Sequence, residues 1–116
     1  MLMWHRRLWL IDHGAALYFH HTWTNYRDRS RAAFPLIKDH VLLRSARALA
    51  EVDSKLIDRL TPQIVGDIVR LIPDAWLVED GLLGGPGLQR DAYVEYLLNR
   101  LEAPRLFLEE AIRAGS

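Results

Sequence analysis

A mainly α-helical domain of four or five packed helices with a short N-terminal β-hairpin is the fold class these 116 residues predict. Three observations carry it. From Leu49 onward, apolar residues recur at helical spacing in one segment after another. Those segments are separated by helix-boundary signals: Thr61-Pro62, Pro73, a glycine-rich run before Leu88, and Pro104. The β-type signal is limited to two short apolar runs, residues 2–4 and 8–11.

Composition narrows the partners. Half the residues are hydrophobic and 26% charged, an ordinary globular balance, and the length suits one domain with its own core. Fifteen basic and fifteen acidic side chains cancel, so nothing in the bulk charge draws the chain to nucleic acid or to an anionic membrane, and neither is an expected partner. The absence of cysteine excludes disulfides and thiolate metal sites and fits a reducing cytoplasm, the expected location. No apolar run approaches the roughly 20 residues that span a bilayer, and the first residues do not pattern as a signal peptide.

In chain order, residues 2–4 and 8–11 read as a hairpin around His5-Arg6-Arg7, a turn without the favoured Asn-Gly or Asp-Gly. Leu8, Trp9, Leu10 and Ile11 have the pattern of a buried strand. A lone strand pair is marginal unless covered, however, so exposed apolar surface is expected at this end of the isolated chain. Asp12 follows where the strand should stop, then His13 and Gly14, a residue that permits tight reversal. On spacing alone, an ordinary turn acid and a ligand for a hard cation both stand. His13, His20, His21 and His40 also raise zinc, but no two of them are spaced i, i+4. Adjacent His20 and His21 would point to opposite faces if extended, which disfavours zinc.

Residues 22–31 turn polar, with Arg27, Arg29 and Arg31 alternating through Asp28 and Ser30, the pattern of a solvated loop with local charge compensation. Residues 36–44 read as irregular or as a short helix, with Asp39-His40 a capping or buried structural pair. Residues 45–60 form a helix with a stripe of Leu49, Val52, Leu56 and Leu60 and a Glu51–Lys55 pair on the wet side. Thr61 caps the next helix and Pro62 takes its first position. Ile64, Val65, Ile68, Leu71 and Ile72 are its expected buried face, Pro73 stops it, and residues 74–77 anchor Trp76. Residues 79–88 hold four of the seven glycines; with no following lysine and with Pro86 lacking a donor, they read as a surface linker. Two helices close the chain. Residues 88–102 carry Tyr93, Tyr96, Leu97, Arg100 and Leu101. Residues 104–114 carry Phe107, Leu108, Ala111 and Ile112, with a Glu109–Arg113 pair outside.

The run Trp9-Leu10-Ile11-Asp12-His13-Gly14-Ala15-Ala16-Leu17-Tyr18-Phe19-His20-His21 resembles the metal-binding segment of the bacterial HipA-like kinases, distant relatives of phosphatidylinositol and protein kinases. Similarity continues through residues 34–43, 72–77 and 96–104, nearly the whole chain. The resemblance implies the helical C-lobe-like subdomain of a protein-kinase-like fold. In it Asp12 would be the metal acid, His13 would stand where protein kinases carry Phe, and Asp12, His13 and Gly14 together would form the cofactor-binding turn. It implies Mg2+ and ATP as cofactors and phosphoryl transfer to a hydroxyl, a protein Ser or Thr. The hairpin and metal-acid turn would occupy residues 2–14, a charged activation-type segment 15–35, and a helical bundle 36–114. In that segment Arg27, Arg29 and Arg31 would meet a phosphate or an acidic substrate.

A kinase also needs a phosphate-covering loop, a lysine and a catalytic Asp with a nearby Asn, and the residues before Asp12 contain none of them. The expectation is therefore a C-terminal piece, inactive by itself, whose hairpin face meets the N-lobe or another chain. The alternative is a non-catalytic helical module that docks to a partner.

Overall fold

The computed structural model describes residues 2–11, 16–77 and 83–116. Among them the chain is a small, mainly α-helical domain: α1 (Tyr26–Ser30), α2 (Leu49–Ile57), α3 (Pro62–Arg70), α4 (Pro86–Leu101) and α5 (Leu106–Gly115). There is essentially no sheet. The two expected strands reduce to three-residue pieces, β1 (Leu2–Trp4) and β2 (Arg7–Trp9), paired antiparallel with Met3 opposite Leu8. His5 and Arg6 between them both adopt positive φ, 50° and 61°, the geometry a two-residue connection demands and that glycine or asparagine meets at less cost. Leu10 and Ile11 lie beyond the pairing. The reading of residues 8–11 as a buried strand fails, because Leu8, Trp9, Leu10 and Ile11 are all exposed, as is Trp4. Nothing among the described residues is layered over them, which is the apolar end surface expected of an uncovered strand pair.

Helix boundaries follow local chemistry. α3 begins where the sequence says: the Thr61 hydroxyl accepts from the Ile64 backbone N–H at 3.3 Å, and Pro62 takes the first position. α4 starts at Pro86, two residues earlier than expected, because Gly84 (φ 83°) and Gly85 (φ 123°) turn the chain into it. α2 is shorter than residues 45–60. Leu43–Ser45 winds as a 3-10 turn, Ala46 leaves helical geometry, and no side chain caps Ala48. α5 begins at Leu106, beyond the cis Ala103–Pro104 bond, so Pro104 lies in the bend rather than at the helix start. The charged loop of residues 22–31 is in part helical, as α1. The stretch after Phe34 forms a second 3-10 turn, Pro35–Asp39, closed by the His40 N–H donating to the Ile37 carbonyl at 3.0 Å; beyond it His40 Nδ1 accepts the Leu42 N–H at 3.2 Å. Asp39 and His40 are thus both exposed at the end of this turn, not a buried pair.

α4 is the central element: α1 packs on one part of it and α3 on another, while α2 and the Pro35–Asp39 turn pack on α5. Its most buried positions are Gln89 and Ala92, with Tyr93, Tyr96, Leu97, Arg100 and Leu101 half-buried. The aromatic core is built on this face. Phe19, 1% exposed, stacks on Tyr96 at 3.8 Å between ring centroids and meets Trp23 and Tyr93 edge-on at 5.2 and 5.4 Å. Val65 and Val69 bury the inner side of α3, Leu43 and Ala111 a second small core, and Leu77 a position beside α4. Two expected stripes lie differently. In α2, Asp53 and Ile57 turn inward with Leu49, leaving Val52, Leu56 and the following Leu60 exposed. In α3, Ile64 and Ile68 are exposed with the following Leu71. Trp76, expected as an anchor, is 79% exposed, and its neighbour Leu77 takes the buried place.

Candidate functional site

Asp12, His13 and Gly14, the turn singled out in the sequence, lie outside the described residues. Their flanks are described. On one side Trp9, Leu10 and Ile11 present apolar surface; on the other the chain winds into the 3-10 turn Tyr18–His21, which inserts Phe19 into the core. The helical winding changes the relation between His20 and His21. They do not diverge, as an extended chain would make them, but lie with ring centroids 4.1 Å apart, His20 half-buried and His21 exposed. Among the described residues no three His, Cys, Asp or Glu side chains converge as a metal site.

Both histidines open onto a cavity of about 350 Å³ between this turn, the Asp74–Trp76 turn and the start of α4. Trp23, Trp76 and Tyr93 line it with aromatic side chains, Gln89 with an amide and Leu77 with an apolar one. Trp23 holds a left-handed backbone, φ 50°, which is strained for a bulky residue. Burial raises the Tyr93 phenol above its ordinary pKa, so it stays a neutral hydroxyl at physiological pH. Sequence reasoning took Tyr93 as packing and missed Gln89 as a wall. The available signal was a polar residue on the same face as Ala92, Tyr93 and Tyr96, inside an otherwise apolar stripe.

The arginines of the charged segment have a different fate from the one expected. Arg27 Nε donates to Glu95 Oε1 at 2.6 Å and its Nη2 to Oε2 at 3.2 Å, while the Tyr26 hydroxyl donates to Oε2 at 2.7 Å. Arg31 pairs with Glu102 and donates to Asn99 Oδ1 at 3.2 Å. In the other direction, Arg100 of α4 donates to the carbonyls of Ser30 and Ala32 at 3.3 and 3.2 Å. Charge compensation for Arg27 and Arg31 therefore comes from Glu95 of α4 and from Glu102 just past its end, about seventy residues on, rather than locally. Arg29 donates to the Thr22 hydroxyl at 3.4 Å. Hydrogen bonds from Arg27, then from Tyr26, hold the Glu95 carboxyl below its ordinary range against a smaller effect of burial. Burial, then the bond to Glu95, raises the Tyr26 phenol.

A second cavity, about 330 Å³ and almost wholly apolar, opens between α3, α4 and α5. Leu60, Val65 and Ile68 line one side, and Leu97, Leu101 and Phe107 the other. The Arg100 guanidinium lies 4.3 Å from the centre of the Phe107 ring. Ile64 of α3, Leu71 just after it and Leu56 of α2 are exposed as well. No helix among the described residues is long and apolar enough to cross a membrane. No family model matches the chain, and neither a curated protein nor a solved structure matches it.

Proposed function

We propose that this chain is the C-terminal, helical part of a HipA-like kinase, acting in ATP- and Mg2+-dependent phosphoryl transfer to a protein hydroxyl. The observation that carries the proposal is the run Leu10-Ile11-Asp12-His13-Gly14, an acid delivered at the end of an apolar segment and directly followed by a helical domain. The donor set suits the role: magnesium bound to nucleotide phosphates takes one or two protein carboxylates and keeps its remaining positions for phosphate and water. Asp12 is the one carboxylate this segment offers. Asp12 would hold and orient the Mg2+, which would supply charge neutralisation at the phosphates, and Gly14 would let the backbone turn beside it. The phosphate-covering loop, the lysine and the catalytic base would come from residues outside these 116.

The exposed patch of Trp4, Leu8, Trp9, Leu10 and Ile11 supports the same reading, because it adjoins Asp12 and is the surface on which the N-lobe would rest. The pairing of Arg27 and Arg31 with α4 argues against giving them the acceptor's phosphate. Their role in this reading is to fasten the segment that follows the metal acid to the helical body.

Calorimetry with Mg-ATP on the 116-residue chain tests the assignment, followed by the same titration on a complete kinase containing this segment. Binding that Asp12→Asn abolishes while circular dichroism stays unchanged is the expected result in the complete kinase. Full activity of that variant would remove Asp12 from the site. A second reading, a non-catalytic module that docks to another protein, is favoured by the apolar cavity beside α3 and the exposed Ile64, Ile68 and Leu71. In that case neither the chain nor any longer form of it binds Mg-ATP.

A further inference from the structure

We propose that the apolar cavity between α3, α4 and α5 binds a fatty acid, with the alkyl chain inside the cavity and the carboxylate on the Arg100 guanidinium. The cavity holds about 330 Å³, and apart from Arg100 only aliphatic and aromatic side chains line it among the described residues. Leu60 and Ile68 belong to the lining yet remain exposed, so the cavity is open to a ligand from solvent. Such a lining selects the body of the guest. A peptide, a sugar or a nucleotide base would bring in polar groups that lose water and find no partner, whereas an alkyl chain has none to lose.

Charge selects the head. Arg70 of α3, Arg90 of α4, Arg105 before α5 and Arg113 of α5 each pair with a carboxylate. Arg100 pairs with none among the described residues. Its Nη1 donates to the Ser30 and Ala32 carbonyls, which are neutral, and its Nε and Nη2 make no hydrogen bond there. Those two nitrogens form an edge that can receive both oxygens of a carboxylate. The guanidinium is held 4.3 Å from the centre of the Phe107 ring, itself part of the lining, so the charge is already fixed at the cavity wall. Among the described residues no acid lines the cavity to repel an anion, and no second cation stands beside Arg100. A singly charged carboxylate is therefore matched, and a phosphomonoester with nearly two charges is not. Binding here requires neither nucleotide nor Asp12, and so does not rest on the kinase reading.

The test is a titration of the 116-residue chain with octanoate, followed through the methyl resonances of Ile68, Leu97 and Leu101. Saturable shifts are expected, and affinity should rise about three- to fourfold per added methylene from hexanoate to octanoate, the gain of burying one CH2. 1-Octanol, the uncharged analogue, should bind several-fold more weakly. A cavity that serves only as a seat for an apolar side chain of a partner protein predicts the reverse order, because an alcohol sheds water at less cost than a carboxylate. Arg100→Gln should abolish the preference for the acid while keeping the alcohol, and Ile68→Asp should weaken octanoate at least tenfold with unchanged circular dichroism, since Ile68 is exposed. If Arg100→Gln loses the alcohol too, the order of acid and alcohol in the parent chain and the Ile68→Asp result decide. Absence of saturable shifts, octanol binding as tightly as octanoate, no gain with chain length, or unchanged affinity in Ile68→Asp would each overturn the proposal. Asp12→Asn is expected to leave this titration unaltered, so failure of nucleotide binding and failure of fatty-acid binding are read separately.

Discussion

At the scale of single residues, Phe19 and Glu95 decide most. Phe19 is the largest fully buried side chain and touches three other rings, so Phe19→Ala removes the centre of the aromatic cluster. A loss of about 3–5 kcal/mol in urea denaturation is expected, since the surrounding rings cannot close the space. Glu95 gathers two residues of α1 on one carboxylate. Its pKa is held below 4.5, so its contribution is complete above that value and is lost as pH falls through the lowered one. Denaturation curves between about pH 6 and about pH 3 should therefore lose stability less steeply in Glu95→Gln than in the parent chain. Equal slopes would show that the carboxylate's titration does not hold α1 in place. Tyr26, whose pKa is raised, acts at the alkaline end: its contribution is intact below pH 10.0 and falls as pH rises through the raised value.

Among the elements, α2 shows how a polar residue can redirect a helix. Asp53 accepts Arg105 Nε at 3.1 Å and Nη2 at 2.5 Å, a two-pronged bond with both side chains largely buried, and Arg105 also donates to the Leu101 carbonyl at 3.2 Å. That bond fixes the α2 face carrying Leu49, Asp53 and Ile57 against α5 and turns Val52 and Leu56 outward. Asp53→Ala leaves a buried guanidinium short of its partner and should cost about 1.5–3 kcal/mol in thermal or urea unfolding. Thr61→Ala removes the α3 cap and should cost about 1 kcal/mol. Leu101 lines an open cavity instead of a closed core, so its truncation to Ala should cost less than the ~2–5 kcal/mol of a fully buried leucine. α5 carries a smaller rearrangement: Arg113 pairs with Glu110, one turn position from the expected Glu109.

The whole molecule exposes more surface than its mass requires. Its accessible area is 8990 Å², against about 6,500 Å² from the scaling of folded monomers with mass. Its radius of gyration, 15.8 Å, exceeds the roughly 13 Å of a compact domain of this length. Exposed large apolar side chains include two groups, one at the β1–β2 end and one on the outer faces of α2 and α3. Leu71, 80% exposed, offers a clean probe. Leu71→Ser should change unfolding free energy by no more than about 0.5 kcal/mol. In sedimentation velocity at rising concentration it should reduce any self-association of the parent chain.

The sequence by itself determined the helical class, the start of α3 at Thr61-Pro62, the Glu51–Lys55 pair, observed at 2.5 Å, and the uncovered apolar end around Trp9. These depend on neighbours within a few residues, where capping, i, i+4 spacing and local hydropathy operate. The reading of Asp12, His13 and Gly14 likewise rests on the sequence alone, since those residues lie outside the described structure. Only the tertiary structure decided which apolar stripe of α2 and α3 was buried, where Arg27 and Arg31 found their acids, and that Leu77 instead of Trp76 entered the interior. It also brought His20, Trp76 and Gln89 to one cavity. The physical reason is distance along the chain. An amphipathic helix with apolar residues on two sides has no local means of choosing between them. The choice falls to partners far away in sequence, Arg105 for Asp53 and Glu95 for Arg27, that exist as neighbours only once α4 and α5 are packed.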